Sequence, residues 1–261
     1  MSGLVRIELL KLRTTRLGYG LLGTAAGLTA LFSVLEGSRA GNGGAVAPLN
    51  TSSGFNSMIT GGVWALVLAT VLGATISSGE FRHQTATQTY LATPARSRVL
   101  AAKAVAGAIA GAVFGLAGYV IALGAGLAFV VGHGYQVPLS DATLIRYGVG
   151  HLLAGALLAA IGVAVGSLIR SQLAAVIGVF VWTIIVESLL GGVFTSVRPY
   201  LPYTAATTLS GSALGGAAFG PAHNVSGGTP LPFAAATALL AGVALALSLI
   251  AARTTVGQDI Q

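Results

Sequence analysis

Six long apolar stretches divide this chain, at 17–35, 58–77, 104–131, 147–168, 173–194 and 231–252. A helix needs about 20 mostly apolar residues to cross the hydrocarbon core of a bilayer. Each stretch meets that length, and only the fifth holds a charged residue, Glu187. The runs are continuously apolar, whereas barrel strands would alternate polar and apolar positions. The pattern therefore predicts an all-α integral membrane protein, a single transmembrane domain over 1–261 with six spans. The third run exceeds the need, so it is either tilted or extended past the membrane.

The segments between the runs differ in character. Residues 36–57 form a Gly-, Asn-, Ser- and Pro-rich loop, and 169–172 is a tight turn that makes spans four and five antiparallel neighbours. The longest outer connection, 195–230, carries Tyr200, Leu201, Tyr203, Leu209 and Phe219 and is apolar enough to dip back toward the membrane. Residues 1–16 read as an interfacial helix. Val5, Leu9 and Leu12, joined by Leu10, make an apolar strip, while Arg6, Lys11 and Arg13 face lipid headgroups. That stretch is amphipathic and the first run long enough to span, so the segment is read as retained, not as a cleaved signal.

Charge sets the orientation. One side receives ten basic residues (Arg6, Lys11, Arg13, Arg16, Arg82, Arg96, Arg98, Lys103, Arg170 and Arg253), and the other receives three, Arg39, Arg146 and Arg198. The excess belongs in the cytoplasm, which places both termini there. Composition agrees: 54% of residues are hydrophobic and 7% charged, against roughly 25% charged in a soluble domain. The net charge of +7 would suit nucleic acid, but the basic residues sit beside the spans, where topology alone accounts for them, so no nucleic-acid partner is expected. Cysteine is absent, which removes disulfides and thiol chemistry.

No chemistry-bearing set emerges. The chain has no Gly-x-x-x-x-Gly-Lys-Ser/Thr nucleotide loop. Ser226-Gly227-Gly228 is assigned to a turn, Ser212 lacks a basic partner, and neither a zinc motif nor a pair of carboxylates within the spans is present. The expectation is a non-catalytic subunit without metal or cofactor. Glu187 is the one acid within a span, a costly placement that ordinarily faces protein or water. It falls in the outer half of the bilayer, where His151 lies at similar depth and Arg146 reaches from above. A structural hydrogen bond and a substrate or gating contact are both open. Glycines four apart (Gly23 and Gly27; Gly107, Gly111 and Gly115; Gly162 and Gly166) allow close helix approach, within one subunit or between two.

Residues 79–103 concentrate charge in a nearly uncharged chain. Glu80, Arg82 and His83 precede Thr85, Thr87 and Thr89, then Tyr90, Leu91, Pro94, Arg96, Arg98 and Lys103. Pro94 disfavours helix at Thr93 and suits the start of a new one. The segment therefore reads as two short cytoplasmic helices broken at 92–94, the second continuing into span three.

The run Glu8–Arg13, the Gly79-Glu80-Phe81-Arg82-His83 segment, Leu91-Ala92-Thr93-Pro94, Arg98–Lys103, the stretch from Val181-Trp182 to Glu187 and Leu201-Pro202 together resemble type 2 ABC transporter permeases. The resemblance covers essentially the whole chain. It implies a subunit that pairs with a second permease copy and with separate ABC ATPase subunits, which would carry the ATP and Mg. Residues 1–16 would be the connecting helix, and 79–103 the coupling loop that docks into the ATPase through Glu80, Phe81, Arg82, Tyr90 and Leu91. Residues 195–230 would form a re-entrant outer segment. The implied role is export of a drug-like, peptide or lipidic substrate across a bacterial plasma membrane, with drug or antibiotic resistance as one outcome. The competing readings are an ion-coupled carrier or channel using Glu187, and a membrane anchor of a sensor complex.

Overall fold

In lipid every backbone N–H and C=O must be paired within the protein, and the chain meets this demand with helices. The computed structural model describes residues 2–40, 47–82, 96–169, 171–211 and 229–254. A short helix α1 (Ser2–Thr14) leads into α2 (Arg16–Arg39), the first span. Helix α3 (Ser52–Ile59), a 3-10 turn at Thr60–Gly62 and α4 (Val63–Arg82) together make the second. Then come α5 (Arg96–Gly132) and α6 (Asp141–Leu168). The fifth span is α7 (Gln172–Phe180), a π-helical turn at Val181–Val186 and α8 (Glu187–Val193). A 3-10 turn at Arg198–Tyr200 and helix α9 (Pro202–Leu209) precede the last span, α10 (Phe233–Arg253).

Six of these stretches are long and apolar enough to cross a membrane. The third runs 37 residues, about 55 Å at 1.5 Å per residue, which is longer than a hydrocarbon core about 30 Å thick. The inner segment appears as the end of α4 and the start of α5, and 83–95 lies outside the described residues.

The second span is the centre of the bundle. Its most apolar window is 89% buried, against 17% for α2 and 17% for α10. One cluster joins Val63, Leu66 and Val67 of α4 to Leu158 of α6, Tyr203 and Leu209 of α9 and Leu240 of α10. A second joins Ala65, Leu68 and Leu72 to Ala25 of α2, Phe114 of α5 and Val179 of α7. The tight 169–172 turn makes spans four and five consecutive, yet α7 lays its buried residues Ala175 and Val179 on α4 more than on α6.

Glycine decides how closely the central helices meet. An added Cβ at Gly73 would collide with Ala159 O, at Gly162 with Thr70 O, and at Gly111 with Gly155 O. Here α4, α5 and α6 touch backbone to backbone. Gly23 and Gly27 of α2 meet nothing within 4 Å. The sequence stripes thus separate into packing within the subunit (Gly107, Gly111, Gly115, Gly162 and Gly166) and an open face on the first span.

Helix α1 departs in one detail from the expected strip. Val5, Leu9 and Leu12 are half-buried, but Leu10 is exposed beside Ile7. At 100° per residue Leu10 falls away from the other three. Arg6 and Arg13 are exposed.

Candidate functional site

At one end of the bundle, four charged residues close into a ring. Glu8 and Lys11 stand one turn apart on α1, Glu80 lies in the last turn of α4, and Lys103 lies two turns into α5. Lys103 Nζ donates to Glu80 Oε1 at 2.6 Å and to Glu8 Oε2 at 3.3 Å. Lys11 Nζ donates to Glu8 Oε1 at 2.9 Å and to Glu80 Oε1 at 3.0 Å. Two carboxylates and two ammonium groups balance, as buried charge requires. The Lys103 side chain is 3% exposed, and Lys11, at 45%, forms the wet edge. A carboxylate at the carboxyl end of α4 opposes the helix dipole, and the two lysines offset it.

Burial opposes the charge on Lys11, but the hydrogen bonds and field of Glu8 and Glu80 outweigh it and hold its pKa above the usual 10.5. A raised lysine stabilises the fold fully below the unfolded value and loses that effect as pH rises through the folded one. Lys11 therefore keeps α1 docked throughout the physiological range. Its link is expected to fail only above about pH 10.5, which accessibility of α1 to protease across an alkaline titration would detect.

This ring changes the reading of the inner segment. Glu80 was expected at the rim of a docking surface, but its carboxylate is turned inward onto Lys103 and Lys11 and is almost wholly buried. The physical reason is plain: in a protein with six acidic residues, buried Lys103 and half-exposed Lys11 claim the nearby carboxylates. Phe81 and Arg82 belong to α4 by backbone, while their side chains, together with Tyr90 and Leu91, lie outside the described residues. Glu8 and Lys103 were legible only as members of motifs and not as a pair.

Toward the opposite end of the bundle, Glu187 is 6% exposed and accepts hydrogen bonds from the opening of α9. Tyr203 N donates to both oxygens at 2.9 and 3.1 Å, and Thr204 N donates to Oε2 at 3.2 Å. Trp182 Nε1 adds a donor at 3.0 Å. Pro202 starts α9 at the first helical position, where a missing N–H costs nothing. The next two amides then point at the carboxylate. A helix N-terminus favours an anion, and here the fifth span supplies it. Tyr203 also donates its hydroxyl to Val63 O of α4 at 2.7 Å.

His151 does not join Glu187. It is fully buried against Gly62 and 5.2 Å from the Tyr119 ring, with Nδ1 3.0 Å from Tyr147 O. A carbonyl only accepts, so Nδ1 carries the proton, and Nε2 has no hydrogen-bond partner among the described residues. The Arg146 guanidinium lies 5.7 Å from the Phe233 ring centroid of α10. The sequence suggested a shared level for His151 and Glu187, but not the direction that each side chain faces. The donors to Glu187 are backbone groups and an indole, which a search for charged partners misses. Among the described residues no group of acids, histidines or cysteines is placed to hold a metal.

The ABC-2 family transporter protein model matches residues 26–256, from within α2 to just past α10. A search of curated proteins gives no match. With six membrane-length helices and a match over most of its length, the chain belongs to the ABC-2 transporter family as a multi-pass membrane subunit of an ABC transporter.

Proposed function

We propose that this chain is the permease half of an ATP-driven exporter, energised by a separate ABC ATPase that docks on the inner segment 79–103. The observation that carries this reading is the buried charge ring of Glu8, Lys11, Glu80 and Lys103. It fastens α1 to both ends of the segment a partner would grip, so a push there is delivered to α4 and α5 together. Two copies would form the transport path in a bacterial plasma membrane, with both termini cytoplasmic and Arg6 and Arg13 on lipid headgroups. The substrate class that suits an apolar bundle is drug-like, peptide or lipidic. ATP and Mg would be held by the ATPase, and the purified permease is expected to hydrolyse no ATP. The carrier reading would need Glu187 free to bind an ion, whereas its oxygens already accept from Tyr203, Thr204 and Trp182.

The test is reconstitution with the ATPase subunit. Tyr90→Ala is expected to lower substrate-stimulated ATP hydrolysis and transport about tenfold, the loss of one buried aromatic anchor, with membrane expression unchanged. Normal transport by this variant would move the docking site away from 79–103. Orientation is checked separately. The chain lacks cysteine, so a cysteine at exposed Asn50 should react with an impermeant thiol reagent outside intact cells, and one at exposed Ser97 should not. Outside labelling at Ser97 would reverse the topology.

A further inference from the structure

The outer half of the fifth span is attached to the bundle in an unusual way. Its large apolar residues Trp182, Ile185, Leu189 and Val193 are 46–70% exposed. The positions it buries are Thr183, Glu187 and Gly191, spaced four apart along the inward face. None of the three brings a large apolar side chain. Ile184, Val186 and Leu190 are half-buried and add partial apolar contact, but the directed attachment of this half-span is polar: the Glu187 carboxylate on the amides of Tyr203 and Thr204, tied back to Trp182 Nε1. The π-helical turn Val181–Val186 matters here. The i→i+5 bond of this turn runs from Glu187 N to Trp182 O, and the Trp182 indole reaches the Glu187 carboxylate beside it.

An attachment of this kind behaves differently from apolar packing. In a dry interior the carboxylate has no substitute for its donors, and separation leaves both sides unpaired. Once water reaches the site, it can replace every donor at little cost. The contact is firm when dry and weak when wet.

We propose that Glu187 and Trp182 are positioning residues of a polar clasp, which holds the fifth span on α9 and forms the outer gate of the transport path. The gate opens when water replaces the amide and indole donors, so release of α9 and flooding of the outer vestibule are one event. The inference rests on the permease reading for its role in transport, but the clasp itself is tested without transport.

A single cysteine at Thr183, buried beneath the clasp, is probed with an impermeant thiol reagent from outside, in the resting protein in membranes. Trp182→Phe removes one donor from a half-exposed side chain and leaves folding intact. Losing one intramembrane hydrogen bond, worth about 0.6–1.7 kcal/mol, is expected to raise the labelling rate about 3- to 18-fold. Glu187→Gln is expected to raise it further. A cysteine at Met58, fully buried at the outer end of the second span, should stay unreactive in all variants. Unchanged labelling at Thr183 in both variants overturns the clasp, and so does an equal rise at Met58, which would mean general loosening. Absence of ATP-driven transport with a partner would defeat the exporter reading and leave the labelling result standing.

Discussion

Lys103→Met is expected to lose most of the folded protein. The substitution preserves length and apolar stem but leaves Glu8 and Glu80, whose side chains are 8% and 11% exposed, sharing the single half-exposed Lys11. Removing one partner from a buried ionic cluster strands the other charge and costs about 3–5 kcal/mol. That is a large part of the about 5–15 kcal/mol that holds an ordinary domain together. The check is the yield of monodisperse protein in detergent and its melting temperature. Adding Glu8→Gln to Lys103→Met restores neutrality, with Glu80 and Lys11 as the remaining pair, and is expected to recover most of the loss. Failure of the double variant to recover would mean that Lys103 serves through packing and not through charge.

Gly111→Ala and Gly155→Ala are expected to be comparably damaging, for a reason without charge. Each glycine lies where the other's carbonyl oxygen occupies the space of a Cβ. A methyl group there must push α5 and α6 apart along their whole contact, and close-packed interiors do not absorb such a shift locally. Gly23→Ala and Gly27→Ala, on the open face of α2, should leave folding unchanged. A loss of assembly in those two variants with normal folding would place a second copy of the chain on that face. If Gly111→Ala folds with wild-type stability, the backbone contact of α5 and α6 is looser than the structure makes it.

The spans were readable because lipid imposes one requirement on every residue of a crossing helix, and a run of apolar residues meets it without reference to anything distant. Of the apolar residues singled out in 195–230, Leu201, Tyr203 and Leu209 are buried in the bundle and Tyr200 is exposed, while Phe219 lies outside the described residues. Pairings between helices were harder. Glu80 meets Lys11 across 69 positions and Lys103 meets Glu8 across 95, and nothing local marks those partners. Glu187 could be flagged as expensive, and Pro202 could be marked as a helix start. Joining the two required knowing that the outer segment folds back beneath the fifth span. His151 shows the opposite error. Shared depth suggested a partner, but one helical turn can face in any direction.

The contact between the central helices has a mechanical consequence. Gly73 against Ala159, Gly162 against Thr70, Gly166 against Ala74 and Gly111 against Gly155 lock α4, α5 and α6 at backbone distance. Sliding any one of them by a residue would drive a side chain into a carbonyl. These three helices therefore form a keel, and on the proposed function a shape change would fall on α2, α7–α8 and α10, whose most apolar windows are only 17%, 22% and 17% buried. Lys103 and Glu80 belong to the keel, whereas Glu8 and Lys11 hang the first helix from it. At the opposite end, Val63 receives the Tyr203 hydroxyl. On the permease reading proposed above, a force entering at the Glu80 end of α4 would be carried along one helix for about 26 Å, from position 80 to position 63, before it reached the helix that Glu187 holds.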